Sequence, residues 1–266
     1  MATLDPIRFV KAEANGNDFL IVDQEHVPPL RRAELARRLC DRHRGIGADG
    51  VEFVRAAGDH LDLDLFNADG SPAEISGNGS RCVAAFYARH GFLKGELHTA
   101  AGTLQARVLD GGGAFWMIEL EMGVPRLEGE VPLRIAGREF RAQVLSVGNP
   151  QCVIRVEDFP SDWEALGAAI ESHPRFPQRT NVEFVRVRDR QHLDLRIFER
   201  GVGPTQSSGT GSSAAAVAAI AQGLATSPVE VITPGGTQRV DWAGAGNPVR
   251  LRGPATVLAE GVFLAP

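Results

Sequence analysis

Glu199–Gly211 reads ERGVGPTQSSGTG and opens onto the alanine-rich run Ser212–Gly223, while Asn67–Gly79 reads NADGSPAEISGNG and opens onto SRCVAAFYARHGF. Both stretches end in Ser-Gly-X-Gly-Ser ahead of a helix-forming segment. Each carries a polar residue nine positions before its serine, Asn67 before Ser76 and Glu199 before Ser208. The two serines are 132 residues apart in a chain of 266, close to half its length.

A period of that size is the mark of an internal duplication. Gly16-Asn17 recurs as Gly148-Asn149 at an offset of 132, each followed by an apolar run. Val51-Glu52-Phe53-Val54-Arg55 recurs as Val182-Glu183-Phe184-Val185-Arg186 at 131, and His60-Leu61-Asp62-Leu63 as His192-Leu193-Asp194-Leu195 at 132. Thr99-Ala100-Ala101-Gly102-Thr103 has its counterpart in Thr233-Pro234-Gly235-Gly236-Thr237 at 134. Unrelated strands drawing on the same residue types would explain one such match. They do not explain a series in one order, so the chain reads as two homologous halves.

Length and composition fit two modest domains, with 43% hydrophobic residues available for their cores. A net charge of -5 with both signs interspersed points away from a nucleic-acid surface or a basic membrane patch. Met1–Arg8 lacks the basic start and apolar stretch of a signal peptide, and no apolar run approaches the roughly 20 residues of a membrane span. The expectation is a soluble, cytoplasmic protein. Cys40, Cys82 and Cys152 are odd in number and form no CxxC pair, as suits buried thiols in a reducing compartment.

In the first half, strands are predicted at Ile7–Val10, Phe19–Asp23, Val51–Arg55 and Leu61–Phe66. A helix over Leu30–His43 carries the apolar stripe Leu30, Ala33, Leu35, Ala36, Leu39 and Cys40. A second helix is predicted over Ser80–His90, then a hairpin of Leu104–Leu109 and Phe115–Met122. The second half repeats the programme: Phe140–Val147, Val153–Val156, a helix Trp163–Ser172 capped by Ser161 or Asp162, Val182–Val187 and Leu193–Phe198. The helix Gly209–Gly223 and the hairpin Val229–Val240 complete it. Gly123–Pro132, rich in glycine and proline, reads as the connection between domains.

Ser76 and Ser208 each precede Gly-X-Gly at a helix start, where the first backbone N–H groups lack intrahelical partners and the dipole favours negative charge. Glycines there let the backbone approach a ligand, and a carboxylate is the natural small guest. Two such ends facing one cleft would present a side chain to each side of one carbon. The plainer reading of either serine alone is an ordinary N-cap. The paired serines, with matched polar residues upstream, favour a site.

The chain resembles the diaminopimelate epimerases, which belong to the cofactor-independent amino-acid epimerases. The matching stretches are Gly16-Asn17-Asp18-Phe19, Asp41-Arg42-His43 with Gly47-Ala48-Asp49-Gly50, Asn67-Ala68-Asp69-Gly70 with Gly77-Asn78-Gly79-Ser80-Arg81-Cys82, Gly148-Asn149-Pro150, Asn181-Val182-Glu183-Phe184, and Glu199-Arg200-Gly201-Val202-Gly203 with Gly209-Thr210-Gly211. The resemblance implies an α/β (α+β) fold of two pseudo-symmetric domains, each a β-sheet wrapped around a central helix. It places 1–123 plus 255–266 in the first and 124–254 in the second, the last strand around Ala255–Pro266 returning to the first. It also implies a metal-free and pyridoxal-free inversion at the α-carbon of an amino acid, LL-diaminopimelate to meso-diaminopimelate, in lysine and cell-wall precursor biosynthesis. Asn17, Asn67, Asn149, Asn181, Glu199 and Arg200 would hold the ends of the substrate, Arg200 by its planar fork. The amides of Gly77-Asn78 and Gly209-Thr210 would take the carboxylate at the reacting centre. A homodimer is compatible with the resemblance, and the sequence does not fix the oligomeric state.

Where that family pattern has its two catalytic cysteines, this chain has Ser76 and Ser208, and where it has histidine after Gly-Asn-Pro, this chain has Gln151. A thiol has a reference pKa of about 8.5, which a helix end or cationic neighbour lowers further, whereas an alcohol starts several units higher. Without the adjacent histidine, Ser76 has no evident base. Three readings stay open: the same epimerisation run by the hydroxyls with Glu199 or ordered water, dehydration of a hydroxyproline by one base and one acid, and binding of an amino acid without turnover. The binding residues Asn67, Asn181, Glu199 and Arg200 favour the first.

Other signals are weaker. The seven histidines show no HExxH or Cys/His ligand spacing, so no metal is expected. His43 reads as a surface or cleft-lining residue. No GxxxxGK[ST] or strand-borne GxGxxG supports a nucleotide site, and Trp116, Trp163 and Trp242 read as core or rim.

Overall fold

Parallel pairing of strands that are not adjacent in sequence builds both halves of this computed structural model, which describes residues 6–264. The chain divides into two units, Met1–Leu120 with Gly253–Pro266, and Glu121–Arg252.

In the first unit, strands Ile7–Ala14 and Asn17–Asp23 form a hairpin across Asn15-Gly16. Both turn residues lie at positive φ, 54° and 79°, the left-handed pair that a tight two-residue hairpin needs and that asparagine and glycine supply at least cost. Asn17–Asp23 then runs parallel to Gly50–Ala57, the crossover carrying helix α1, Pro29–Cys40. Gly50–Ala57 pairs antiparallel with His60–Asn67, which runs parallel to Lys94–Thr99 across a second crossover holding helix α2, Gly77–Ala88. Lys94–Thr99 turns back into Gly102–Gly112.

The second unit repeats each step. Pro150–Arg155 runs parallel to Asn181–Val187 across helix α3, Trp163–Glu171. Asn181–Val187 pairs antiparallel with His192–Glu199, which runs parallel to Val229–Thr233 across helix α4, Gly209–Ala221. Val229–Thr233 turns back into Gly236–Trp242. The registers coincide as well: Phe19 opposite Gly50 is matched by Gln151 opposite Asn181, and Leu61 opposite Leu97 by Leu193 opposite Val231.

Each unit has one helix inside and one outside. Every residue of α4 from Gly209 to Ala219 is buried, and its small side chains are what a helix enclosed on all sides by strands requires. Gly77–Ala85 of α2 is buried likewise. α1 and α3 pack one face each onto the sheets, α1 onto Leu20, Val22, Val51 and Phe53, α3 onto Leu133, Ile154, Val182 and Phe184. The last strand, Val249–Phe263, pairs with Gly236–Trp242 over Val249–Arg252 and with Ile7–Ala14 over Thr256–Phe263. Residues 265–266 of the segment read as returning to the first domain lie outside the described residues, as do 1–5 of the segment read for a signal peptide.

Several expectations are corrected. Leu30 is 99% exposed, and the buried stripe of α1 instead includes Arg32, whose guanidinium lies over the Phe53 ring and pairs with Asp64. α2 begins at Gly77 rather than Ser80 because Ser76 caps it, bringing both glycines into the first turn. The proposed connection Gly123–Pro132 is mostly strand: Arg126–Ile135 pairs with Arg138–Ser146 across the positive-φ turn Ala136-Gly137, leaving only Met122–Pro125 without regular structure. Asp162 stands at the N-cap of α3, with no side-chain hydrogen bond to the helix. Among the described residues, no helix is long and apolar enough to cross a membrane.

Candidate active site at two serine-capped helix mouths

The first mouth is the start of α2. Ser76 is in extended conformation and its Oγ accepts the Gly79 N–H at 3.0 Å, the geometry of an N-cap. Asn78 Nδ2 donates to Asn17 Oδ1 at 3.2 Å, and Asn17 Nδ2 donates to Asp49 Oδ2 at 2.7 Å, so two of the sequence-predicted binding residues are joined. Beneath them lies Arg81, fully buried, its guanidinium donating to Asn78 Oδ1 at 2.8 Å, Asn15 Oδ1 at 3.0 Å and the Gly77 and Pro254 carbonyls at 3.3 Å. Among the described residues no carboxylate is ion-paired with it, and Glu13 acts on it only through its charge. Burial pulls its pKa down to about 10, so it remains charged at neutral pH and adds positive potential under the helix start. Asn67 ends its strand opposite Gly50 and donates to Ser71 Oγ within its own loop.

The second mouth is the start of α4. Ser208 Oγ accepts the Gly211 N–H at 3.2 Å and lies 3.3 Å from Thr210 Oγ1. Asn149 Nδ2 donates to that same Thr210 oxygen at 3.4 Å, and Gln151 Nε2 donates to Asn149 Oδ1. Four residues singled out from the sequence, Asn149, Gln151, Ser208 and Thr210, thus share one small network. Asn181 Oδ1 accepts the Arg200 backbone N–H at 2.8 Å, fixing the turn that follows Glu199. Arg200 Nη1 reaches the Gln178 carbonyl at 3.4 Å, and Glu171 Oε1 accepts the Gly201 N–H at 3.0 Å.

Sequence reasoning missed three buried charged groups. Arg81 is one; Glu52 and Glu183 are the others, exposed by 1% and 0%. Burial, reinforced by Asp64, raises Glu52 from 4.5 to about 8. Burial, reinforced by Glu199, raises Glu183 well above the usual carboxylate range. The Cys152 N–H and Glu183's own N–H point toward that carboxyl and favour its ionised form, but neither reaches hydrogen-bond geometry and burial dominates. The signal was present in the repeated Val-Glu-Phe-Val, a charge inside an otherwise apolar strand.

Asp18 shows the opposite balance. Burial would raise it, yet Arg42 and Lys11 hold it below its ordinary value and tie the Asn17-Asp18 turn to the loop ending at Asp49. His43 is exposed. Cys40, Cys82 and Cys152 are buried, and burial pushes Cys40 up to about 12 and the other two higher still, so none is a thiolate at neutral pH. Among the described residues, His60, Asp62 and His98 bring ligand atoms within 4.8 Å of one another. The two imidazoles stack at 4.1 Å with planes 22° apart, so their in-plane lone pairs run side by side rather than converging on an ion.

Two repeated units of this kind are a fold shared with solved structures that include epimerases. A crystal structure of a hydroxyproline epimerase from Agrobacterium vitis, with bound trans-4-hydroxy-L-proline, matches this fold with a TM-score of 0.78 over 99% of this chain and 92% of that one, at 18% identity. The sequence pattern of the diaminopimelate epimerase family matches residues 9–128 and 143–258. Diaminopimelate epimerases of Microcystis aeruginosa and Ectopseudomonas mendocina are 39% and 40% identical to it, covering 97% and 96% of this chain and 99% and 98% of theirs. The chain belongs to the diaminopimelate epimerase family.

Proposed function

We propose that this chain is an isomerase of the diaminopimelate epimerase type, inverting one α-carbon of LL-diaminopimelate to give meso-diaminopimelate without a cofactor. The observation that carries this reading is end-to-end similarity, 39% identity over 97% of the chain, to an enzyme named for that substrate. The site residues support it. Asn17 and Asn78 are joined at one mouth, and Asn149, Thr210 and Ser208 at the other. In this reading Asn17, Asn67, Asn149, Asn181, Glu199 and Arg200 hold the two amino-acid ends, and the first-turn amides at Gly77-Asn78 and Gly209-Thr210 receive the carboxylate. Ser76 and Ser208 serve the α-carbon.

One feature supports a second reading. Hydroxyls at both reacting positions suit a dehydration, which needs one base and one acid rather than a reversible pair. A single experiment separates the two. The protein is incubated with LL-diaminopimelate in deuterated water and the α-proton is followed by NMR. Exchange with meso product supports the epimerase. Binding without exchange overturns it in favour of a binding protein, and pyrroline formation from 3-hydroxyproline overturns it in favour of a dehydratase.

A further inference from the structure

An alcohol needs a partner to take or give its proton near neutral pH, and among the described residues no histidine hydrogen-bonds the Ser76 or Ser208 hydroxyl. What stands near each helix start instead is a glutamate from the neighbouring strand. Gly79 occupies the third position of α2 and donates its N–H to Ser76 Oγ at 3.0 Å; Glu52 Oε1 lies 2.2 Å from the point where a β-carbon on Gly79 would stand. Gly211 donates its N–H to Ser208 Oγ at 3.2 Å; Glu183 Oε1 and Ser208 Oγ lie 3.1 Å and 3.4 Å from the corresponding point. A glycine at both positions leaves room for a glutamate from the neighbouring strand against the first turn, and that same glycine donates its N–H to the capping hydroxyl. Sequence spacing makes the two glutamates equivalents across the duplication.

Three of these four carboxyl oxygens are left unsatisfied. Glu52 Oε2 and both oxygens of Glu183 are buried without a hydrogen-bond partner. So are the hydroxyls of Ser80 and Ser212, one residue beyond the two glycines. Orphaned buried polar atoms are costly and are rare in structural positions. Here they recur in pairs behind the two mouths.

We propose that Glu52 and Glu183 hold the exchanging protons of the reaction, each acting through its serine. The inference rests on the epimerase reading above. On one side the Cα–H bond breaks as its proton passes to Ser Oγ, while that hydroxyl's own proton passes to an ionised glutamate. On the other side the serine hydroxyl gives its proton to the α-carbon and is reprotonated by a glutamic acid. One carboxylate gains a proton, the other acid loses one, and the substrate is inverted. A bridging water or one rotamer change spans the gap between hydroxyl and carboxyl. Asp64 and Cys82 face Glu52, and Glu199 and Cys152 face Glu183. None is a cation, so both sites favour the protonated acid, and turnover needs one of the two ionised.

The test is E52Q and E183Q, which keep volume and remove the proton. The expected result in each is a kcat lower by about 100-fold or more, KM changed by less than about 3-fold, and loss of the rising limb of kcat between pH 6 and 9. Unchanged kcat and pH profile in folded variants would overturn the proposal. Difference infrared spectroscopy of the wild-type protein gives a second readout that needs no turnover. Added diaminopimelate should shift the protonated-carboxyl band, and the shifting component should shrink in whichever variant folds. No shift would overturn the proposal even if neither variant folds. If the wild-type protein shows no epimerisation, the functional reading fails, and the band shift alone decides whether these acids answer to an amino acid.

Discussion

Glu52 fills the volume that a β-carbon on Gly79 would need, its Oε1 lying 2.2 Å from that point. Gly79→Ala should therefore destabilise the protein by about 1–3 kcal/mol, the usual cost of forcing one methyl into packed space. In the Glu52→Ala background the same substitution should cost less than about 1 kcal/mol, because the obstructing atom is gone. Denaturant unfolding of the four proteins closes the cycle; equal costs in both backgrounds would mean that the carboxyl does not occupy this space.

Stability should fall as pH rises from about 5 to about 8. Glu52 is protonated in the folded protein up to about 8 but ionises near 4.5 when exposed, so the folded state binds the extra proton throughout that window. The limiting slope is on the order of 1.4 kcal/mol per pH unit for each such group, and Glu183 acts in the same direction. E52Q should flatten part of this dependence. Unfolding midpoints across the window that are flat in the wild-type protein would contradict the burial argument.

Arg81→Met should cost more than about 3 kcal/mol. The apolar chain of methionine follows the arginine stem, but Asn15 Oδ1, Asn78 Oδ1 and two carbonyls lose a charged donor, at about 1–3 kcal/mol for each buried group left unpaired. Chemical denaturation should show a lower midpoint with an unchanged slope, and amino-acid affinity should fall because the Asn78–Asn17 contact loses its support.

The double variant Ser76→Cys, Ser208→Cys should epimerise LL-diaminopimelate at least about 10-fold faster than the wild-type protein, since a thiol near a helix start ionises far more readily than an alcohol. Solvent-deuterium incorporation measured side by side is the check. A folded double variant with no gain would indicate that the hydroxyls do not face the reacting carbon.

Much of the fold was legible because duplication writes each pairing twice. Gly16-Asn17 and Gly148-Asn149 mark equivalent turns, and the repeated Val-Glu-Phe-Val marks strands that pair in equivalent registers. Ser76 and Ser208 were found as caps because capping is local, decided within four residues. Arg81 was not, since its partners are Asn15, Asn78 and Pro254, and only the folded chain assembles them. Glu52 and Glu183 were quoted in a motif yet passed over: spacing shows that a glutamate sits in an apolar strand, but not that a glycine on another element opens room for it. The stripe of α1 failed at Leu30 for a related reason, because periodicity identifies a buried face without saying where along the helix the sheet ends.

Val249–Phe263 begins beside Gly236–Trp242 and ends beside Ile7–Ala14. During synthesis Ile7–Ala14 leaves the ribosome long before its partner Thr256–Phe263, so that side of the strand stays unpaired even when the second unit, which ends at Arg252, has been made in full. A nascent chain halted just after Arg252 should thus protect Glu121–Arg252 from protease and leave the first unit vulnerable.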